Sequence, residues 1–271
     1  MTSRGTADPH VDTEFDRATA ISPDATTPAR FHAEFQSTWA SLRGVHGGYQ
    51  AAIAVRVAEA IAQTRRVRTV TATFLRPGQV GPVVLDVDVL RRSRSFTTTV
   101  VSISQGGRQV ASIRITAIES IEGHDWSTPV AHRPAPVGQS VAFTPPPQIL
   151  HFRQASLLVN SATIPNSDAD DARIAGHVRP NDGSVLDAAW LVMIGDWFPP
   201  SPFRRVQIPI GGVSIDYTVH LHRTVSLADG EYLEGVFETE NSADGIALEH
   251  GTLCTANGVA VAETFHTRWT G

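Results

Sequence analysis

The sequence has no lysine, a single cysteine and no long apolar run. All 22 basic residues are arginine, which excludes a Schiff-base lysine, a phosphate-loop lysine and a Ser-Lys dyad. Cys254 alone cannot form an internal disulfide, a thiolate zinc site or a CxxC redox pair. No stretch approaches the ~18 apolar residues of a membrane-spanning helix. Residues 1–30 are polar and lack the apolar core of a signal peptide, so we expect a cytoplasmic protein.

The overall composition is that of an ordinary globular chain. Of 271 residues, 41% are apolar and 18% are charged, which fits one large domain or two small ones. The net charge of −5 argues against a nucleic-acid partner and against a polybasic membrane surface.

The residue pattern of the first half of the chain predicts one buried helix followed by four strands. A strand is expected over residues 31–38, and a helix over residues 48–63 is apolar on most of its circumference, so other structure must wrap it. The next four segments alternate apolar and polar residues with the period of half-buried strands. Gly106-Gly107 forms a hairpin turn between the last two of these strands.

The second half repeats this order after a proline-rich stretch. Ser184-Val185-Leu186-Asp187 resembles a capping box that opens an apolar helix, which Pro199-Pro200 ends. Four strands follow, with a hairpin turn at Asn257-Gly258. The offsets between matching positions are about 147 and 151 residues, which indicates an internal duplication.

These patterns predict an α+β chain with two tandem repeats, each a long helix wrapped by an antiparallel sheet. That arrangement is a double hotdog. We expect a polar N-terminal segment over 1–30 that is partly mobile, an N-terminal hotdog over 31–120, a proline-rich linker over 121–150 and a C-terminal hotdog over 151–271.

Several motifs resemble those of one known family over roughly residues 15–271. In the first half they are Gly44-Val45-His46-Gly47-Gly48-Tyr49, Phe74-Leu75-Arg76-Pro77-Gly78 and Val89-Leu90-Arg91-Arg92-Ser93-Arg94-Ser95. In the second half they are Leu186-Asp187-Ala188-Ala189 through Gly195-Asp196, and Asp216 through His222-Arg223. The chain is similar to the type II, double-hotdog acyl-CoA thioesterases. The resemblance implies a cofactor-independent hydrolase of acyl-CoA or a related acyl thioester.

The resemblance also implies a site on the second half. The family has an Asp on the second helix, a Thr or Ser at the start of the next strand and a Gln on the last strand. By position these roles fall on Asp196, Ser214 and His266. Asp196 would act as the general base or orient the attacking water molecule. The alternative is that Asp196 simply lies at the solvated end of a helix. By alternation Ser214 shares a polar face with Asp216, which leaves a solvated strand edge as the alternative.

His266 is a departure from the family, which has Gln at that position. An imidazole can hold a water molecule as an amide does, and it can also take a proton. The change equally suits altered chemistry, lost activity or a structural role.

His46, Gly47 and Gly48 open the first helix. Backbone amides at a helix start favour an anionic oxygen, and glycine permits close approach by a thioester carbonyl. The alternative is a tight turn that needs glycine for backbone reasons.

No cofactor or metal is expected. His220 and His222 lack a third ligand at a convincing spacing, and neither GxSxG nor GxGxxG before a helix is present. The arginine runs at 65–68 and 91–94 suit coenzyme A phosphates or a solvated surface.

Two hypotheses of different class therefore stand at this point. One is a thioester hydrolase, and the other is a non-catalytic acyl-binding or scaffold protein that keeps the fold. A homo-oligomer remains open, because exposed sheet edges in such folds often pair between chains.

Overall fold

The structure, a computed structural model, describes residues 13–63, 65–119, 123–124, 126–206 and 213–270. The α-helices are α1 (Glu14–Ala18), α2 (Gly47–Ala62) and α3 (Ala188–Ile194). The strands are β1 (Ser22–Pro23), β2 (Arg30–Phe35), β3 (Ala40–Ser41), β4 (Gly44–Val45), β5 (Arg66–Phe74), β6 (Gly81–Arg92), β7 (Phe96–Gln105), β8 (Arg108–Ile118), β9 (Ser140–Ala142), β10 (Ala155–Asn160), β11 (Arg173–Pro180), β12 (Val213–Leu221), β13 (Leu233–Ala243), β14 (Ile246–Cys254) and β15 (Ala260–Trp269). No described helix has the length and apolar character needed to cross a membrane.

Thirteen of these strands form one continuous antiparallel sheet. Its order is β1-β2-β6-β7-β8-β5-β12-β15-β14-β13-β11-β10-β9, and β3 pairs with β4 separately. The two halves of the chain meet where β5 pairs with β12, with Ala72 opposite Tyr217. The sheet therefore runs through both predicted hotdogs without a break.

Helix α2 fits the helix predicted from the first half. Its Ala and Val side chains are buried on nearly all sides of the helix, while Arg56 and Glu59 lie on a narrow, partly exposed stripe. Gln63 ends it at a φ of 61°, in the left-handed region. The helix packs against β5, β7 and β8 and against α3, which is why so few of its positions are polar.

Helix α3 is much shorter than the long helix predicted for the second repeat. It spans seven residues and ends at Ile194, well before Pro199. The Tyr217 hydroxyl donates to the Val192 carbonyl at 2.7 Å. The Asp196 amide donates to Met193 instead, at 3.2 Å. In a longer helix the Asp196 amide would donate to the Val192 carbonyl. Because the Tyr217 hydroxyl already donates to that carbonyl, helix α3 ends there.

Two further local expectations need correction. The predicted capping box at Ser184 is wrong, because Asp187 is the cap residue and accepts from the Trp190 amide at 2.9 Å. Ser184 bonds to Asp182 instead. The strand expected over 31–38 is β2, and it ends at Phe35 because a 3-10 turn, Ser37–Trp39, follows.

The duplication extends to an irregularity in the sheet. A register shift lies between Val67 and Thr69 in β5, and another lies between Ser214 and Asp216 in β12. Val70 is opposite Ile115 in the first half, as Tyr217 is opposite His266 in the second. Corresponding positions of the two halves can therefore be matched by strand register.

Two segments outside the predicted hotdogs take part in the fold. Phe15 of α1 is fully buried, and its ring lies 4.2 Å from that of Trp190. In the proline-rich stretch, β9 pairs with β10 at one sheet edge. Residues 1–12, 121–122 and 125 of these two segments lie outside the described residues.

Candidate active site

The carboxylate of Asp196 lies just beyond α3 and is buried, with 9% of the residue exposed. The alternative of a solvated helix end is therefore wrong. Its Oδ2 accepts from the Gly48 amide at 3.0 Å, and His46 Nε2 lies 3.4 Å from the same oxygen. His46 Nε2 is also 2.8 Å from the Asp196 carbonyl, so a neutral ring must carry its proton on Nε2. The start of α2 thus binds one side of the Asp196 carboxylate.

Glycines make this approach close. A Cβ added at Gly47 would lie 3.1 Å from Asp196 Oδ2 and 2.8 Å from Phe74 Cζ. A Cβ at Gly48 would lie 2.9 Å from the Met193 carbonyl. The group that makes a close approach to Gly47 and Gly48 is Asp196, whereas the prediction was for a thioester carbonyl. Whether the same helix start also receives a substrate oxygen stays a prediction.

The other oxygen of Asp196 faces the last strand. His266 Nδ1 lies 3.7 Å from Oδ1, and Arg268 Nη2 lies 3.6 Å from it. His266 Nε2 lies 3.3 Å from the Gly195 carbonyl, which can only accept. A neutral His266 therefore donates from Nε2 and presents the lone pair of Nδ1 towards Asp196. Two hydrogen-bond acceptors then face each other across 3.7 Å.

The alternation had placed Ser214 on the face of Asp216, and this prediction is wrong, because Ser214 lies on the face of His266 and Arg268. The register shift between Ser214 and Asp216 turns the strand by one residue, so Ser214 joins the side of Tyr217. Its Oγ lies 3.5 Å from His266 Nδ1. The structure thus brings Asp196, Ser214 and His266 together.

Two further charged residues belong to this cluster and were missed from the sequence. Arg268 donates from Nη1 to Ser214 Oγ at 3.0 Å, and from Nε to Glu249 Oε1 at 2.7 Å. Both side chains are almost fully buried. Alternation was the available signal, because Arg268 follows His266 by two positions on β15.

A second histidine, His151, lies behind His46. The two rings are 4.2 Å apart, and Trp197 lies 5.1 Å from His151. His151 is buried, and it sits in a 3-10 turn, Leu150–Arg153, at the end of the proline-rich region, where the sequence gave no signal. His46 Nδ1 is buried without a hydrogen-bond partner among the described residues.

The cluster fixes the protonation states of its members. Burial raises the pKa of the Asp196 carboxyl, but His46, His266, Arg268 and the Gly48 amide outweigh it, and the pKa lies below its ordinary value. Burial, followed by the nearby Arg268 charge, lowers the pKa of His266 to about 4. Burial also lowers the pKa of His46. Near neutral pH the site therefore holds an anionic carboxylate between neutral imidazoles.

Helices α2 and α3 pack together, and the end of this pair that lies away from Asp196 carries a different network, one of ion pairs. Arg56 of α2 contacts Asp187, the cap residue of α3, and also Asp16 and Glu59. On the sheet, Val67 and Ile115 occupy the positions that Ser214 and His266 occupy in the second half. The first half therefore has no counterpart of the Asp196 cluster in its described residues.

The remaining candidates from the sequence lie elsewhere. His222 pairs with Glu263 at 3.2 Å, and among the described residues no group of three His, Cys, Asp or Glu could hold a metal. Arginines of the basic runs donate to carbonyls, Arg68 to Leu221 at 3.2 Å and Arg92 to Ile61 at 3.1 Å. A cleft of about 560 Å³ lies near Arg133 and Asn160, and no residue of the Asp196 cluster lines it.

Comparison with known structures identifies the fold. A protein of unknown function with a hot dog fold from Alicyclobacillus acidocaldarius is 22% identical, with a TM-score of 0.83 over 96% of this chain and 99% of that one. The acyl-CoA thioesterase II TesB2 of Mycobacterium marinum is 17% identical, with a TM-score of 0.75 over 95% and 96%. The tesB protein of Mycobacterium avium subs paratuberculosis is 19% identical, with a TM-score of 0.77 over 95% and 98%. The sheet and helices are thus those of a double hotdog.

Family models define the class more closely. The acyl-CoA thioesterase N-terminal domain matches residues 35–118, and the C-terminal domain matches residues 128–269. The chain belongs to the acyl-CoA thioesterase family, as its motifs had indicated, and its enzyme class is that of the thioesterases. No protein of curated function gives a significant match.

Proposed function

We propose that this chain hydrolyses acyl-CoA or a closely related acyl thioester through a water molecule held by Asp196, His266 and Ser214. The observation that carries the proposal is the pair of acceptors, Asp196 Oδ1 and His266 Nδ1, facing each other at 3.7 Å. Two acceptors at that separation suit a water molecule that donates a proton to each.

The reaction follows from this placement. The water oxygen attacks the thioester carbon while a proton passes to Asp196, with His266 orienting the water. The carbonyl oxygen becomes an oxyanion and accepts from donors around it. Ser214 helps to hold the water, because its Oγ accepts from Arg268 and its own proton remains to be donated to the water oxygen. Collapse of the intermediate breaks the C–S bond, and the thiolate leaves with the proton that Asp196 returns.

The start of α2 is our proposed source of donors for the carbonyl oxygen. The Gly48 amide is engaged by Asp196, whereas the Gly47 amide belongs to the first helical turn, whose N–H groups have no partner within the helix. A thioester carbonyl placed beside Gly47 would lie next to the carboxylate that holds the water. The acyl chain would then extend between sheet and helix.

The first test measures thiol release from acyl-CoAs of short to long chain length. Wild type is expected to hydrolyse at least one of them, and Asp196→Asn is expected to lose about 100-fold or more in kcat because the base is gone. Asp216→Asn is the matched control, since this carboxylate lies on the opposite face of the neighbouring strand and its loss should leave kcat unchanged. Acyl-CoAs that raise the Tm of wild type without being cleaved would favour the acyl-binding alternative.

A further inference from the structure

The side chain of Arg268 is held in place by Glu249. Arg268 Nε and Nη2 lie 2.7 and 2.6 Å from Glu249 Oε1, and only 4% and 1% of the two side chains are exposed. The second oxygen of Glu249 accepts from the Ser201 amide. Because both oxygens of Glu249 are engaged, the guanidinium has a fixed anchor on β14.

From that anchor the guanidinium reaches two residues of the proposed site. Nη1 donates to Ser214 Oγ at 3.0 Å, and Nη2 lies 3.6 Å from Asp196 Oδ1. A planar guanidinium fixes the angle between its nitrogens, so one anchored group sets the positions of both partners.

The fold itself does not require this ion pair. By strand register Ala117 is opposite Val67, as Arg268 is opposite Ser214. Likewise Thr99 is opposite Ile115, as Glu249 is opposite His266. The first half thus builds the same sheet with neutral residues there. A buried ion pair is often no more stabilising than apolar residues of similar volume, so its presence calls for another explanation.

We infer that Arg268, anchored by Glu249, is a positioning residue that sets the geometry of Asp196 and Ser214 for water activation. It acts through those two residues and touches no substrate. The inference rests on the proposed function, because it assigns to Arg268 a part in that same reaction.

The electrostatics of the site point the same way. The titratable and charged groups facing Asp196 are His46 from the start of α2, Tyr217 from β12, and His266 and Arg268 from β15; His151 lies behind His46, and Glu249 faces Arg268. Burial lowers the pKa of both imidazoles that face Asp196, and Tyr217 has a pKa raised by burial. Near neutral pH, Arg268 is therefore the cation among these described groups, and together with the Gly48 amide it favours the ionised form of Asp196.

The test compares pH–rate profiles of wild type, Arg268→Met and Arg268→Lys on the acyl-CoA that wild type cleaves best. Without the guanidinium, kcat should fall about 100-fold with little change in KM, because the water is misplaced while the substrate still binds. The acidic limb of the Arg268→Met profile should rise by at least about one pH unit. Arg268→Lys keeps the positive charge but loses the planar set of guanidinium donors. The acidic limb of its profile should therefore stay near that of wild type while kcat falls.

Arg30→Met is the matched control. Arg30 forms an ion pair with Asp86 across β2 and β6, at 2.7 Å and in a more exposed place. Its removal should leave kcat and the acidic limb unchanged. If Arg268→Met folds and its profile overlays that of the control, the inference is wrong.

A second variant and a second readout keep the test decisive. Glu249→Met/Arg268→Met replaces both charges together, which leaves no buried unpaired ion if the single variant fails to fold. The pKa of the Asp196 carboxyl is followed in each variant by ¹³C NMR titration, without substrate. A wild type that cleaves no thioester overturns the proposed function, while the NMR titration still decides whether Arg268 controls Asp196. An unchanged Asp196 pKa in the double variant overturns the inference.

Discussion

The His266 ring is fixed on three sides. It stacks on Tyr217 with ring centroids 4.3 Å apart, Nε2 faces the Gly195 carbonyl, and Nδ1 faces Asp196 and Ser214. With its pKa lowered to about 4 by burial and then by Arg268, the ring is a weak base near neutral pH. The pKa of the Asp196 carboxyl is lowered as well, so basicity does not rank the two groups. We propose that Asp196 takes the proton, because the Gly48 amide and the Arg268 guanidinium favour its ionised form, and that His266 orients the water.

Replacing His266 with Gln tests this division of roles. An amide can donate to Gly195 and can hold a water, but it cannot take a proton. We expect His266→Gln to retain kcat to within about tenfold of wild type, since loss of a true base costs at least about 100-fold. Thiol release under saturating acyl-CoA measures this. A loss as large as that of Asp196→Asn would show that the imidazole carries the proton.

Single residues of the site were predictable to different degrees. Asp196 and His266 follow from the family resemblance and from their places, just beyond α3 and on β15. Arg268 and Glu249 lie on alternating inward positions of their strands and could have been found by the same reasoning. Ser214 could be named but not oriented, because a register shift cannot be read from an alternating pattern that looks regular.

At the scale of elements, the end of α3 decides where the carboxylate lies. The Tyr217 hydroxyl takes the Val192 carbonyl, and the chain turns at Gly195 so that Asp196 points back to α2. A Cβ on Gly195 would collide with the Tyr217 hydroxyl and would lie 2.8 Å from Thr264 Cγ2. The turn therefore depends on the absence of a side chain at this position.

We expect Gly195→Ala to lower the free energy of unfolding by about 1–3 kcal/mol, because the added methyl overpacks a closed region. The kcat for thiol release should fall as well, since the displaced turn carries Asp196. Urea unfolding and the thiol assay measure the two effects. Gly138→Ala is the control, because nothing lies within 4 Å of a Cβ there and both quantities should be unchanged. A fully stable and active Gly195→Ala would contradict this account of the turn.

Elements of regular pattern were the most predictable. The four strands of each half and the helix α2 follow from alternation and from an apolar run that only a wrapping sheet can cover. The length of α3 could not be predicted, because the hydrogen bond that ends it comes from Tyr217 on a strand that follows it in the chain. The cap was misplaced by three residues because Ser184 and Asp187 both have side chains that can cap a helix.

For the whole molecule, three buried histidines link stability to pH. Burial lowers the pKa of His46, His151 and His266, the last to about 4. In the unfolded chain each would titrate near its ordinary value. Between the folded and unfolded pKa values the unfolded state binds more protons, so stability falls as pH drops through that range.

We expect the free energy of unfolding to decrease between about pH 7.5 and about pH 5, with His266 alone contributing about 2 kcal/mol. Urea unfolding at both pH values measures the decrease. In the variant His151→Phe/His266→Gln, the difference between the two pH values should shrink, because two of the three rings whose pKa burial lowers are gone. Phe suits the aromatic contacts beside Trp197. A wild type equally stable at both pH values would refute the linkage.

The pairing of β5 with β12 joins two copies of one structural unit within a single polypeptide. In a dimer of identical chains, every substitution would appear twice, once on each side of the two-fold axis. Here each copy can change alone. The end of α3 could acquire the charged cluster around Asp196. The start of α3 acquired ion pairs instead, in which Arg56 contacts Asp16 and Asp187 and connects α2 to α1 and α3. Covalent tandem linkage thus allows a division of labour that symmetry would forbid.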